Sequence, residues 1–156
     1  MRKFAATIVF AALAWPAGGN MAHAEQLRSI GGKCLDVSGG RTTNGAAVII
    51  WTCGPSFPNQ RWDLVGGVIR GIGGKCLDVA RGDTENGAAV VTWDCHPGSP
   101  HQQWAYRDGQ LVGLGGKCLD VPGGSTDGGT GVVMWDCNGG ANQQWARLPS
   151  VIGPGR

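Results

Sequence analysis

The chain has 156 residues, of which 29 are glycine, 6 cysteine and 7 tryptophan, and only 15% are charged, for a net charge of +2. That much glycine leaves little room for long helices, and the length suits one small domain. The basic residues are scattered singly, with no run or stripe, so the electrostatic footprint of a nucleic-acid or heparin binder is missing.

The first element in chain order is a leader. Arg2 and Lys3 precede an apolar stretch from Phe4 to Trp15, and small residues follow, ending in Ala22-His23-Ala24, an A-x-A cleavage pattern. This predicts a secretion signal over residues 1–24, cut after Ala24, and a mature domain over 25–156. The apolar run is about a dozen residues, short of the ~20 that span a bilayer, so no stable membrane insertion is expected once it is removed. Loss of Arg2 and Lys3 leaves 11 basic side chains against 11 acidic ones, a near-neutral domain. All six cysteines lie beyond the cut. An even count behind a secretion signal implies disulfides and an oxidising, extracellular location.

The rest of the chain is written three times. GGKCLDV stands at 31–37, 73–79 and 115–121, and Cys34, Cys76 and Cys118 are 42 residues apart, as are Cys53, Cys95 and Cys137. The copies span 26–67, 68–109 and 110–150. Each opens on an apolar pair: Leu27 and Ile30, Ile69 and Ile72, Leu111 and Leu114. NGAAVIIWTC, NGAAVVTWDC and GGTGVVMWDC come next, then Gln60-Arg61-Trp62, Gln102-Gln103-Trp104 and Gln143-Gln144-Trp145. In the first copy LRSI, KCLDV, AAVIIW and RWDLV are short, β-branched and separated by turn residues, which is strand patterning. Asn44-Gly45 and Asn86-Gly87 supply positive φ for tight hairpin turns. A unit of this size cannot bury its own apolar face, so three four-stranded units are expected to close around a common axis. Only links within a copy make the three equivalent, so the period selects Cys34–Cys53, Cys76–Cys95 and Cys118–Cys137. A loop of that size contributes about 3 kcal/mol in the chain-entropy model. There is no C-x-x-C and the three histidines lack ligand spacing, so neither a metal nor another cofactor is expected.

The Q-x-W closing each unit, the C-L-D-V near its start and the W-x-C between them, in three in-phase copies covering the whole mature domain, resemble the ricin-B-type lectins, also classed as family 13 carbohydrate-binding modules. With a leader and no attached enzyme, the chain is similar to the stand-alone secreted lectins of mycobacteria and other actinobacteria. The resemblance implies an all-β fold, a β-trefoil with pseudo-threefold symmetry, and a glycan as partner: galactose-like, or a xylan- or mannan-type polysaccharide. It carries sugar binding to three sets of residues. Asp36, Asp78 and Asp120 would accept hydrogen bonds from adjacent hydroxyls. Trp51, Trp93 and Trp135 would stack beneath the C–H face of the ring, half an indole being worth about 2 kcal/mol. Asn59 and Gln60, and Asn142 and Gln143, would fix a further hydroxyl, with His101 and Gln102 in their place in the middle copy. Trp62, Trp104 and Trp145 belong to the core.

Several readings stay open at this level. Gln60, Gln102 and Gln143 either brace backbone or touch ligand, and an aspartate after C-L also serves as a turn cap. The chain departs from the family in carrying Ile49, Val91 and Val133 where relatives commonly have a Gln two residues before the site aromatic, which removes a polar contact from every copy. His101 ranks the second site below the other two and makes it a candidate for pH sensitivity. Each site is expected to bind in the range of about 0.1 to 1 mM, with strength coming from multivalency. Catalysis is not expected: Glu25 and Glu85 are the only glutamates, the other acids near the sites are copies of one another, and glycoside hydrolysis uses two carboxylates in unlike environments. The rival reading is a protein-interaction or protease-inhibitor domain with degenerate sugar sites, using the loop from Gly54 to Asn59, where Phe57 breaks the repeat. The tail from Pro149 to Arg156, in which Val151-Ile152 echoes Val68-Ile69, reads either as a barrel-closing strand or as a frayed end.

Overall fold

The structure, a computed structural model, describes residues 24–149. The expected leader and the Val151-Ile152 echo lie outside the described residues. Among the described residues there are twelve strands, four to a copy. In the first they are β1 (Glu25–Arg28), β2 (Lys33–Val37), β3 (Ala46–Thr52) and β4 (Asp63–Val65). In the second they are β5 (Val68–Arg70), β6 (Cys76–Val79), β7 (Val90–Trp93) and β8 (Ala105–Arg107), and in the third β9 (Gln110–Val112), β10 (Cys118–Asp120), β11 (Val133–Trp135) and β12 (Ala146–Pro149). Between them run single 3-10 turns such as Pro58–Gln60 and Pro100–Gln102.

Two layers of pairing build the molecule. The outer strands of the copies form a barrel: β4 pairs with β5, β8 with β9 and β12 with β1, all antiparallel. Backbone bonds from Trp62 to Glu25, Trp104 to Gly67 and Trp145 to Gly109, each 2.8 Å, join the remaining seams. Barrel closure thus falls to Ala146–Pro149, whose last residue is the first of the tail. The inner strands form three hairpins, β2–β3, β6–β7 and β10–β11, which cap one end. Each hairpin tip hooks onto the next: the Gly45 amide donates to the Thr92 carbonyl, Gly87 to Met134 and Gly129 to Ile50, all at 2.8 Å. These glycines have φ of 82°, 90° and 93°, a region open to glycine at little cost. This is the β-trefoil, with the pseudo-threefold axis that the 42-residue period requires.

The core is itself threefold. Leu35, Leu77 and Leu119 sit at 0% exposure, and Trp62, Trp104 and Trp145 each donate an indole N–H to the carbonyl of those leucines at 3.0 Å. One bond thereby fastens the last strand of each copy to its second and satisfies the only polar atom of a large buried ring. The disulfides are Cys34–Cys53, Cys76–Cys95 and Cys118–Cys137, each with Cα atoms 5.1 Å apart. The Asn-Gly turns do more than supply φ. Asn44 donates to the Asp94 carboxylate (2.9 Å) and accepts from the Asp94 amide (2.8 Å) and Lys75 (3.0 Å), and Asn86 repeats this with Asp136 and Lys117. Each asparagine therefore ties its own copy to the following one. The third seam has Gly128 and Thr52 instead, and Lys33 reaches only the Thr52 hydroxyl at 3.3 Å.

Candidate functional site

Each hairpin carries an aspartate on its second strand and a tryptophan on its third. Asp36 lies directly opposite Ile49, Asp78 opposite Val91 and Asp120 opposite Val133. The strand alternation then puts Trp51, Trp93 and Trp135 on the same face as those aliphatic residues, two positions on. The carboxylates are sunk, with Asp36, Asp78 and Asp120 at 3%, 6% and 3% exposure, whereas the indoles stand out at 46%, 42% and 43%. A buried acceptor beside an exposed apolar plate is the arrangement that a pyranose ring needs.

A sunk carboxylate must be paired, and here the glutamines supply the pairing. Gln60 donates from Nε2 to Asp36 Oδ2 (2.8 Å) and to the Thr52 carbonyl (2.9 Å), and its Oε1 accepts from the Gly54 amide (2.9 Å). Gln102 does the same for Asp78 Oδ2 (2.7 Å), the Asp94 carbonyl (2.8 Å) and the His96 amide (2.8 Å). Gln143 repeats it with Asp120 Oδ2 (2.8 Å), the Asp136 carbonyl (2.9 Å) and the Asn138 amide (2.9 Å). All three glutamines are at 0% exposure and spend both amide hydrogens inside the protein. Of the two readings open from sequence the geometry matches bracing: Gln60, Gln102 and Gln143 hold the aspartates and the backbone of the returning loop, and expose no surface of their own.

The asparagines are used in part. Asn59 donates to Asp36 Oδ1 (2.9 Å) and the Val37 carbonyl (3.2 Å), and Asn142 to Asp120 Oδ1 and the Val121 carbonyl (both 3.1 Å). Only the side-chain carbonyl remains, so these residues can accept from a ligand hydroxyl and cannot also donate to one. In the second copy no hydrogen bond joins His101 to Asp78; the imidazole packs against Gly82, where a Cβ would lie 2.3 Å from Nε2. Burial pushes the Asp36 and Asp78 carboxyls up from the ordinary carboxylate range, against the hydrogen bonds from Gln60 and Gln102. At Asp36 the Asn59 bond opposes the rise too, and at Asp78 the nearby His101 and His96 do so.

Two of the sites are open pockets. The first, about 360 Å³, is lined by Asp36, Ile49, Trp51, Phe57 and Asn59 among others, and the second, about 470 Å³, by Gly45, Asp78, Arg81, Trp93, His96 and His101 among others. The second is the larger, so the expected ranking of the sites gains nothing from shape. Three contributors were missed from sequence. Phe57, 45% exposed, faces the first pocket; its departure from the repeat was the signal. Arg81 stands in the second pocket where the other copies have Gly39 and Gly123. The glycine of each Asn-Gly turn lies against the indole of the following copy, a Cβ on Gly45 meeting Trp93 at 3.6 Å. Each site is thus made from two copies. Among the described residues no group of His, Cys, Asp and Glu is arranged to hold a metal ion.

Residues 23–145 match the family model described as ricin-type beta-trefoil lectin domain, and the chain belongs to that family. Carbohydrate binding is accordingly its general function. Among solved structures the chain is similar to the designed threefold-symmetric protein ThreeFoil, with 36% identity, a TM-score of 0.72, and 80% of this chain and 97% of that one covered. It is similar to the C-terminal half of the earthworm R-type lectin, solved with GalNAc, at 24% identity and a TM-score of 0.71 over 81% and 98% of the two chains. It also resembles part of the exo-beta-1,3-galactanase 1,3Gal43A from Clostridium thermocellum, at 30% identity and a TM-score of 0.72, over 81% of this chain and 30% of that one. No curated protein matches the chain significantly.

Proposed function

We propose that the chain is a secreted, non-catalytic lectin that binds galactose-like sugars, or the exposed rings of a xylan- or mannan-type polysaccharide, at up to three weak sites. The observation that carries the proposal is the buried carboxylate, held by a buried glutamine, beside an exposed indole, built the same way in all three copies. The aspartate accepts from two neighbouring hydroxyls through its free lone pairs, the indole takes the C–H face, and the Asn59 or Asn142 carbonyl accepts a third hydroxyl. Two or three hydrogen bonds and one stacking contact amount to about 4 to 5.5 kcal/mol, a dissociation constant near 0.1 to 1 mM. Three such sites on one rigid body gain a factor of about 100 or more on a polymer that engages several at once.

Preference for a galactose-like ring draws support from the GalNAc-bound earthworm lectin and the galactanase. Secretion draws support from the leader pattern and three disulfides. The non-catalytic reading draws support from the family and from the single carboxylate, Asp36 or Asp78, lining each of the first two pockets, where glycoside hydrolysis flanks the bond with two. The protein-interaction reading places the contact on the Gly54 to Asn59 loop with Phe57 as its anchor; Phe57 lines the same pocket as Asp36 and Trp51, which favours a role for it in sugar binding. The test is a heteronuclear NMR titration of the oxidised domain with galactose, lactose, xylobiose and mannose, following the indoles of Trp51, Trp93 and Trp135. Saturable shifts near millimolar sugar that vanish in Asp36→Ala or Asp120→Ala are expected; silent indoles with every sugar in a folded sample reject the proposal.

A further inference from the structure

The second site departs from its threefold relatives at three places, and all three changes fall in one pocket. Gly39 and Gly123 correspond to Arg81, Gly54 and Asn138 to His96, and Asn59 and Asn142 to His101. Arg81, His96 and His101 line the same cavity as Asp78 and Trp93. Neutral side chains in two copies are thus replaced in the third by a guanidinium and two imidazoles.

The fold does not require the arginine. Arg81 sits at φ 59°, in the left-handed region, where Gly39 and Gly123 make the same turn at 66° and 67°. A non-glycine residue is disfavoured there, and such strain concentrates at binding sites. Nor does the arginine complete an ion pair: among the described residues the salt bridges are Lys75–Asp94, Lys117–Asp136 and Arg147–Glu25. The neighbouring acids are otherwise engaged. Asp94 is held by Lys75 and Asn44, Asp83 accepts from the Glu85 amide on the turn after Arg81 (2.9 Å), and Asp78 is held by Gln102. An exposed guanidinium and two imidazoles therefore face one sugar-sized cavity.

We propose that the second site selects a pyranose carrying an anionic group, with Asp78 taking two hydroxyls, Trp93 the C–H face, and Arg81, His96 and His101 the anion. The proposal rests on the carbohydrate-binding reading above and adds the ligand's charge. A carboxylate fits the flat, forked guanidinium in a bidentate way; a sulfate ester presents the same charge with more acceptors.

The experiment titrates the oxidised domain with methyl galactoside, methyl galacturonide and galactose 6-sulfate, and with the corresponding glucosides, following the three indoles. Trp93 is expected to report binding of the acidic sugar about tenfold tighter than its neutral counterpart, equivalent to ~1.4 kcal/mol. Trp51 and Trp135 are expected to show no such preference. Arg81→Gly, which restores the residue of the other copies and relieves the left-handed strain, removes most of the preference without loss of fold, and His101→Asn, which restores the residue of the other two copies, weakens it further. Tighter binding of the uronide than the sulfate supports the bidentate form, and the reverse supports a sulfated ligand. If Trp51 or Trp135 responds to neutral sugars while Trp93 makes no distinction of charge, the proposal fails and the sugar-binding reading stands. If no indole responds to any sugar, both fail.

Discussion

Replacing Gln60 by methionine keeps an unbranched side chain of similar length and removes every polar atom of the amide. Gln60 is at 0% exposure, and its loss removes its bonds to the Asp36 carboxylate and the Thr52 carbonyl and those it accepts from the Gly54 amide and the Gln26 side chain, while Asp36 keeps the bond from Asn59. A hydrogen bond to a charged group contributes about 1.5–3 kcal/mol and a neutral one about 1 kcal/mol, so Gln60→Met is expected to cost on the order of 4 kcal/mol at pH 7. The sign of the pH dependence follows from Asp36. Burial already raises its folded pKa above the unfolded value, and the Gln60 bond opposes that rise. The folded state then holds the proton more tightly than the unfolded one, so stability falls as pH rises from the unfolded pKa, near 3.9, through the folded one. Removing Gln60 lifts the folded pKa further, so the penalty is greatest at neutral pH and shrinks towards pH 4. Urea denaturation of wild type and variant at pH 7 and pH 4 measures both quantities, and sugar titration at Trp51 reports whether the loosened carboxylate still binds. A cost below about 1 kcal/mol, or one that does not change with pH, would falsify the assignment of Gln60 as the brace of Asp36.

Three further outcomes are expected. Thr92 takes the core position of Ile50 and Met134, and its hydroxyl is buried without a hydrogen-bond partner; Thr92→Val should stabilise the domain by about 1 kcal/mol in the same urea assay, and a loss of stability would mean that the hydroxyl is satisfied in solution. Phe57→Ser, which installs the residue found at Ser99, should weaken sugar binding at Trp51 by about fivefold, ~1 kcal/mol, leaving Trp135 unaffected; equal affinities would exclude Phe57 from the first site. Trp135→Ala should abolish binding in the third copy at a stability cost of about 2 kcal/mol, because the indole is 43% exposed and buries roughly half its surface in the fold. A large stability loss would instead place that ring in the core.

What was legible in the sequence was whatever the period repeats and the polypeptide decides locally. Strand alternation, the Asn-Gly turns and the cysteine spacing lead to the hairpins and their disulfides, and the buried Trp62 set is separable from the exposed Trp51 set by its place after Q-x. The direction of Gln60 was not legible. It ends a single 3-10 turn, Pro58–Gln60, and whether its amide points into the protein or out depends on how the loop returns beneath β2, a matter of tertiary closure. The same holds for the contact between Gly45 and Trp93, which exists only because one copy's turn closes over the next copy's site. The interrepeat role of Asn44 escaped for that reason too, since its partners lie 31 and 50 positions away.

The structure separates the residues that make the fold from those that distinguish the sites. Leu35, Leu77 and Leu119, the three Q-x-W tryptophans and the six cysteines are the same in every copy, and together they form the shared core and its fastenings. The bracing glutamines belong with them, because their bonds also anchor the loops that return to the barrel. Variation gathers at the pocket rims instead: Gly39, Arg81 and Gly123; Gly54, His96 and Asn138; Phe57, Ser99 and Gly140. A side chain at the rim is largely solvated, so exchanging it costs the fold little, while its effect on a bound ring is direct. The first site becomes more aromatic and the second more cationic, and the third keeps Asp120, Trp135 and Asn142 without either addition. On the proposed sugar-binding reading, rims this different give the three copies unequal affinities for any one sugar, because the gain from multivalency requires that each engaged site find a ring it can hold.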